Sequence, residues 1–169
     1  MVKYILLFLL TLLLGLYIFM PKTALYYKAE EYLKSKSVVV GNEEIESNLL
    51  RFKLQHAVVY YQGADLARIE EVQIKPFILA NSAILKSIEP LGIAKKFGNL
   101  RVERLELKES IFKPFYIKLY ATGSFGKADG YIDLKSHLVH IDLREPKDIG
   151  AIKKLLKKGE EGWYYESKF

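Results

Sequence analysis

The sequence predicts a mainly β protein in which one antiparallel domain follows an apolar N-terminal helix. Residues 4–20 carry no charge, residues 23–36 repeat apolar residues at helical spacing, and from residue 37 onward apolar and polar residues mostly alternate. We therefore expect an α+β chain with a transmembrane anchor at 1–22, a juxtamembrane helix at 23–36 and a single β-rich domain at 37–169. That domain should be a curved antiparallel sheet, an open barrel or a sandwich with short helices.

The apolar run is long enough to act as a membrane anchor. A helix over residues 4–20 would be about 25 Å long, most of a hydrocarbon core about 30 Å thick. A cleaved signal peptide is the alternative, but a cut after Ala24 would put Lys22 where the peptidase needs a small residue. We therefore expect an uncleaved, single-pass anchor, which includes Tyr4, Leu10, Leu14 and Met20.

The charges around the anchor allow two orientations. More lysines follow the run than precede it, so the positive-inside rule would keep the domain in the cytoplasm. A short basic start, an apolar core and a large following domain are instead the layout of an export signal. We expect export, which places the protein in a bacterial inner membrane with its C-terminal domain in the periplasm.

Composition limits the classes of function. Half of the residues are hydrophobic and 27 % are charged, so a folded core is expected. The chain has no cysteine, which excludes disulfides, thiolate metal sites and a cysteine nucleophile. A net charge of +6 suits an anionic membrane, an acidic partner or nucleic acid. Since the chain begins with a membrane anchor, we expect no nucleic-acid partner.

No motif predicts catalysis. The cluster Gly123, Ser124, Phe125, Gly126 and Lys127 lacks the spacing of a phosphate loop and predicts a hairpin turn. Three histidines are too few for a structural zinc site, and adjacent acidic pairs on strands point to opposite faces. We therefore expect no catalytic residues, no metal, no cofactor and no enzymatic activity.

Two predicted strands have one apolar face each. Apolar residues alternate along residues 50–60 and again along residues 115–125. Between them, the apolar phase slips from Val102 to Leu105, which predicts a β-bulge or a broken strand. Residues 81–85 fit a short helix. The two apolar faces would form a lipid groove if they leave an open trough longer than about 15 Å. The candidate groove residues are Phe52, Leu54, Val58, Ile117, Leu119 and Phe125.

The pattern of apolar and basic residues at 147–158 predicts an amphipathic helix. An apolar stripe that contains Ile152 and Leu155 is surrounded by lysines. Such a helix can lie on an anionic leaflet or in a groove of a partner, or it can pack the stripe on the sheet with its lysines in water. The candidate surface residues are Lys153, Lys154, Lys157 and Lys158.

Four segments of the last third follow a distinctive order: a glycine-containing strand at 126–134, a strand at 140–143, a helix at 149–158 and an aromatic strand at 161–165. This order resembles the type II secretion system protein N family. The resemblance implies one inner-membrane helix, a periplasmic β domain without catalytic residues, and a relationship to AsmA-like proteins with apolar β grooves.

We therefore expect a non-enzymatic accessory or scaffold component of a cell-envelope machine. A type II secretion system is the first choice, and a pilus, competence or flagellar apparatus is the next. The expected partners are the inner membrane and other proteins of the envelope complex. The alternative function is a periplasmic lipid-binding or lipid-transfer module with an apolar β groove.

Overall fold

The computed structural model describes residues 2–19, 21–48, 51–75, 80–98, 100–160 and 162–169. Two α-helices come first, α1 (Val2–Ile18) and α2 (Lys22–Ser35), and short 3₁₀ helices cover Gly92–Phe97 and Lys153–Leu155. The strands are β1 (Val38–Gly41), β2 (Glu44–Ser47), β3 (Phe52–Tyr61), β4 (Ala64–Lys75), β5 (Ala80–Pro90), β6 (Val102–Ser110), β7 (Lys113–Gly123), β8 (Gly126–Asp133), β9 (Leu138–Pro146), β10 (Lys157–Gly159) and β11 (Gly162–Lys168).

All of these strands belong to one antiparallel sheet. Their order is β1-β3-β4-β5-β6-β7-β8-β9-β11-β10, and β2 also pairs with β3. From β3 to β9, each strand pairs with the next one along the chain, as short hairpin connections favour. The predicted mainly β, antiparallel fold is confirmed. The described strands form a single open sheet, with β1 and β10 at its ends, and not a two-layer sandwich.

The register of the sheet aligns apolar residues from eight strands into two transverse rows. The first apolar row is Leu54, Val72, Leu85, Leu105, Ala121, Ala128, Leu143 and Trp163. The second apolar row is Phe52, Ile74, Ala83, Leu107, Leu119, Gly130, Ile141 and Tyr165. Because side chains two apart on a strand share a face, both rows lie on the same face of the sheet.

A crease crosses four strands beside the first apolar row. His56 on β3 and Ser87 on β5 have left-handed backbones, with φ of 55° and 51°. On β6, the pairing with β7 shifts between Val102 and Arg104. The apolar face therefore resumes three residues beyond the first row, with the paired residues Ala57, Ile69, Ile88 and Val102. The irregularity predicted from the slip between Val102 and Leu105 is confirmed as a shift of register.

Burial is concentrated at two parts of the sheet. Among the described residues, the buried apolar side chains are Phe52, Leu54, Ala57, Val58, Leu119, Ala128 and Leu143. The first four lie on β3 and the others on β7, β8 and β9. Helix α2 covers the β3 part, where the Tyr26 ring lies 5.3 Å from the Phe52 ring and its hydroxyl donates a 2.8 Å hydrogen bond to Glu43. The apolar residues of β4, β5 and β6 stay partly exposed.

The N-terminal prediction is met in part. Residues 23–36 were predicted to be helical, and α2 confirms this with a boundary shift of one residue. Tyr4, Leu10 and Leu14 lie within α1, and Tyr4 is 76 % exposed, whereas Met20 lies outside the described residues. In the part of the chain that the structure describes, no helix has both the length and the hydropathy needed to cross a membrane.

Two predicted helices are wrong. Residues 81–85 are part of β5, because pairing with β4 and β6 overrides their local preference. Residues 147–158 form turns, a 3₁₀ helix and the start of β10. Pairing of β10 with β11 competes with the helix there, and Gly150 inside the predicted segment lowers helix stability by about 1 kcal/mol.

Candidate apolar groove

An apolar groove of about 380 Å³ lies over β6, β7, β8 and β9. Its volume is within the range of small-molecule sites, roughly 300–1,000 Å³. Every lining residue is aliphatic or aromatic, and Tyr165 supplies the only hydroxyl group. The lining residues are Leu100, Val102, Leu105, Leu119, Ala121, Phe125, Ala128, Ile141, Leu143, Ile152, Leu155, Leu156 and Tyr165.

Small side chains create the floor of the groove. In the first apolar row, Ala121 pairs with Ala128 on the neighbouring strand. Leu105 and Leu143 flank this pair on the two outer strands. Short side chains between two larger ones leave a depression over β7 and β8.

The segment of residues 147–156 forms one wall. Its start is fixed to the β7–β8 turn, since the Lys147 amide donates a 2.9 Å hydrogen bond to the Phe125 carbonyl. The amide of Leu155 donates a 2.8 Å bond to the Ile152 carbonyl, which closes the turn at the other end. Leu155 is 58 % exposed and stands at the mouth of the groove. The predicted apolar stripe thus contacts the sheet, although the segment is not a helix.

The predicted groove residues divide into three groups. Leu119 and Phe125 line the groove, as predicted. Phe52 and Leu54 lie on the same sheet face but are only 3 % and 5 % exposed, and Tyr26 of α2 packs on Phe52. Ile117 also lies on this face, outside the lining of the groove, in a pair with Ile132.

The prediction for Val58 is wrong. It lies beyond the crease, one position after Ala57, and pairs with Arg68. Since Ala57 belongs to the apolar face, the Val58 side chain points to the opposite face.

The predicted trough between two facing strands is also revised, because β4, β5 and β6 separate β3 from β7 within one sheet. At about 4.8 Å per strand, that separation is about 19 Å across the sheet. The predicted strand at 50–60 begins at Phe52 in the structure, and residue 50 lies outside the described residues.

The four candidate lysines do not form one basic helix face. The Lys153 ammonium lies 5.3 Å from the centre of the Trp163 ring. Lys157 lies 5.9 Å from the Tyr164 ring and 3.5 Å from the Glu166 carboxylate. Lys154 and Lys158 are exposed. Two of the four ammonium groups therefore contact β11. The predicted helix is wrong, and a membrane or partner surface at these lysines stays a prediction.

The opposite face of the sheet is polar and dense in charge pairs. Glu71 lies 2.7 Å from Lys86 and 3.4 Å from Lys53. The hydrogen bond from Lys86 is the main reason that the pKa of Glu71 is below its usual value. On β8, Asp129 accepts a 2.6 Å hydrogen bond from Arg144. This face is suited to water, so the two faces of the sheet differ sharply in chemistry.

A ladder of stacked rings crosses four strands of the polar face. The ring centres are 5.0 Å apart for Tyr116 and Tyr131, 5.5 Å for Tyr131 and His140, and 5.4 Å for His140 and Tyr164. The ring nitrogen Nδ1 of His140 lies 3.2 Å from Glu166, and this contact lowers the Glu166 pKa. Because the rings stack on one another, the ladder stabilises strand pairing and offers few free ring faces.

No family model, curated protein or solved structure matches the chain. The groove is therefore interpreted from its own geometry. In the described part of the chain, no group of three or more His, Asp or Glu side chains could hold a metal ion.

Sequence reasoning missed most of the groove lining. Leu105, Ile141, Leu143 and Tyr165 were read as ordinary strand residues, yet they border the cavity. The alternation of apolar residues in β9 marked Ile141 and Leu143 as sharing a face. The pairing of β9 with β8 and β11, which turns this face into a groove, carries no signal in a single sequence.

Proposed function

We propose that this protein is a membrane-anchored module that binds the acyl chain of a lipid in the apolar groove, in the bacterial periplasm. The observation that carries the proposal is the apolar groove, which continues into the partly exposed apolar face of β4 to β6. Contiguous exposed apolar surface of this kind marks ligand grooves or interaction sites. Each methylene group that enters the groove contributes about 0.8 kcal/mol. A chain of about ten methylenes thus contributes roughly 8 kcal/mol before the cost of ordering it.

Support for a lipid ligand comes from the absence of polar anchors inside the groove. Sites for polar metabolites place several donors and acceptors around the ligand. Here the only polar side-chain group in the lining belongs to Tyr165. The groove therefore favours a ligand without polar atoms along its length, and its open mouth beside Leu155 leaves room for a head group in water.

Helix α1 supports attachment to a membrane. It has 17 residues, and Lys3 is its only charge. Exposed apolar side chains occur along its length, among them Tyr4, Phe8 and Leu12 at 76 %, 67 % and 47 %. A helix that is apolar all round belongs in an apolar environment. Its length of about 25 Å is a few ångströms short of an average hydrocarbon core, and local thinning of the bilayer can accommodate the difference.

A second candidate function is an accessory role in an envelope machine such as a type II secretion system. The observation that favours it, besides the family resemblance, is the pair of sheet ends at β1 and β10. A strand at the end of a sheet presents backbone donors and acceptors to which a partner can add a strand. In that case the partner should compete with a synthetic β-strand peptide for binding.

Lipid binding is tested with a charge placed on either face of the sheet. Leu105→Glu puts a carboxylate in the groove. Thr122→Glu puts the same charge on the polar face, where Thr122 pairs with Arg104 and Lys127. The full chain is reconstituted in nanodiscs with a phospholipid that carries a photoactivatable group on its acyl chain, and the labelled peptides are mapped by mass spectrometry.

We expect labels between residues 100 and 165 in the unmodified chain and in T122E, and their loss in L105E. Labels confined to α1 in all three proteins would refute the groove proposal. Orientation is tested by fusing alkaline phosphatase after Phe169. An active enzyme agrees with a periplasmic domain, and a stable but inactive fusion would reject the periplasmic location.

A further inference from the structure

We propose that one end of the sheet is a second membrane contact that docks on an anionic bilayer surface. This end, called here the Phe112 end, holds the β6–β7 turn with Ile111 and Phe112 and the β8–β9 turn at residues 134–137. Docking there is a separate property from acyl-chain binding, and it rests only on the membrane anchor of the proposed function.

The chain path places the Phe112 end beside the helix that connects to α1. In the second apolar row, Phe52 near the start of β3 aligns with Leu107 near the end of β6. Helix α2 contacts this end of β3 through Tyr26, and its C-terminus leads to Val38, which pairs with Tyr61 at the opposite end of β3. Helix α2 therefore starts at the Phe112 end. A bilayer that holds α1 lies on the same side of the domain.

The two turns expose large apolar side chains. Ile111 is 58 % exposed and Phe112 is 82 % exposed, and neither is needed to cover the sheet. Phe115, which follows two residues into β7, is 58 % exposed, and Leu134 in the β8–β9 turn is 41 % exposed. These four side chains, in two turns and at the start of β7, form a patch that can enter the boundary between head groups and acyl chains. At the opposite end, the exposed residues lie on separate elements, as Ile93 does in its 3₁₀ helix.

Basic side chains surround the apolar tip. A cavity of about 570 Å³ beside the β6–β7 turn is lined by Lys108, Lys113 and Lys118 together with one carboxylate, Glu109, and several polar groups. The lining carries three positive charges and one negative charge, a surplus of +2. The apolar side chains lie at the tip of the domain, and the lysines lie next to them on the side of the sheet. Apolar groups followed by positive charges match the order of acyl chains and anionic phosphates in a leaflet. This complementarity identifies an anionic bilayer as the partner.

The basic side chains at this end, Lys108, Lys113, Lys118 and Lys135, outnumber the carboxylates of Glu109 and Asp133. Asp133 accepts backbone hydrogen bonds from Lys135 and Ser136, of 2.9 and 3.1 Å, so its carboxylate organises the β8–β9 turn. Glu109 accepts a 3.1 Å hydrogen bond from the Asn81 amide across the strand pair. Docking at this end would also bring the ends of the apolar strands to the surface of the bilayer.

The absence of cysteine from the chain makes a direct test simple. Phe112→Cys and the control Ile93→Cys each receive a polarity-sensitive fluorophore, since Ile93 is an exposed apolar residue at the opposite end of the sheet. The full chain is placed in vesicles of phosphatidylcholine alone or with phosphatidylglycerol. Quenchers attached to the lipid chains then report insertion.

The label at 112 should shift to the blue and be quenched in vesicles with phosphatidylglycerol, and the label at 93 should do neither. The double substitution Lys113→Glu and Lys118→Glu should reverse the change at 112. Equal signals at 112 and 93, or quenching at 112 that does not depend on phosphatidylglycerol, would overturn the proposal. If photolabelling of the groove fails while the label at 112 is still quenched, docking stands and lipid binding falls.

Discussion

Leu54 and Leu105 form a matched pair that tests whether the apolar face is open. Both are leucines of the first apolar row, separated by Val72 and Leu85. Leu54 lies near α2 and is 5 % exposed, whereas Leu105 borders the groove and is partly exposed. We expect Leu54→Ala to reduce the free energy of unfolding much more than Leu105→Ala does.

The structure sets the size of the difference. A buried leucine that is cut to alanine loses its burial and leaves a cavity, at a cost of about 3 kcal/mol. At Leu105, solvent or ligand can fill the space, so only part of the transfer energy is lost, about 1 kcal/mol. The difference of about 2 kcal/mol corresponds to roughly a 30-fold change in the ratio of folded to unfolded protein.

Urea unfolding of the full chain in amphipol, without added lipid, measures both costs. Far-UV circular dichroism follows the sheet, and the fluorescence of Trp163, the single tryptophan, follows the far end of the first apolar row. The slope of free energy against urea should be the same for both variants, because the same surface unfolds. Equal losses at the two positions would show that the face above Leu105 is covered, and the reasoning for a groove would fail.

Four further substitutions probe the turns and the ionisable groups. Gly126→Ala should lower the free energy of unfolding in urea by several kcal/mol, because φ at Gly126 is 102° and an added Cβ would collide with the backbone of β9. Gly63→Ala should lower it by only about 1 kcal/mol, because φ at Gly63 is 80° but the space around it is open. The hydrogen bond from Lys86 lowers the pKa of Glu71, so the ionised Glu71 stabilises the fold above pH 4.5. This stabilisation is lost as the pH falls through the pKa of Glu71 in the folded protein. In Glu71→Gln, the free energy of unfolding in urea should therefore decrease less on acidification. Burial, and next the hydrogen bond to the Glu43 carboxylate, raises the pKa of Tyr26 above its ordinary value of 10. The neutral Tyr26 therefore contributes fully to the free energy of unfolding below pH 10, and this contribution is lost as the pH rises through the pKa of the folded protein. In Tyr26→Phe, this loss of stability at alkaline pH should be absent.

Local patterns in the sequence were sufficient to predict most strands. Alternation predicted β3, β7 and β9, and the slip between Val102 and Leu105 predicted an irregularity that the structure shows as part of a crease. The slip was visible because it moves apolar residues from one phase to the other on a single strand. The irregularity also extends to His56 and Ser87. Only the register of the sheet shows this, because it aligns β3, β4 and β5 with the irregular part of β6.

The segment at 147–158 shows why the candidate site was harder to predict. Its apolar residues occur at helical spacing, and a helix was the reasonable prediction from the segment alone. The structure instead ties Lys147 to the β7–β8 turn and pairs Lys157–Gly159 with β11. Both interactions join residues that are distant from the segment's own pattern, so its role as a wall of the groove depends on the tertiary structure.

A single-layer sheet with one apolar face must cover or fill that face. Helix α2 packs Tyr26 on Phe52 of β3, and the segment at 147–156 borders the groove beside β8 and β9, where Phe52 and Leu143 are buried. Between them the apolar residues of β4, β5 and β6 remain partly exposed, while the opposite face satisfies its charges in pairs such as Glu71 and Lys86. Solvation thus favours a bound apolar ligand on one face only. An acyl chain in the groove would cover apolar residues of β6 to β9 and would extend the layer that the segment at 147–156 begins.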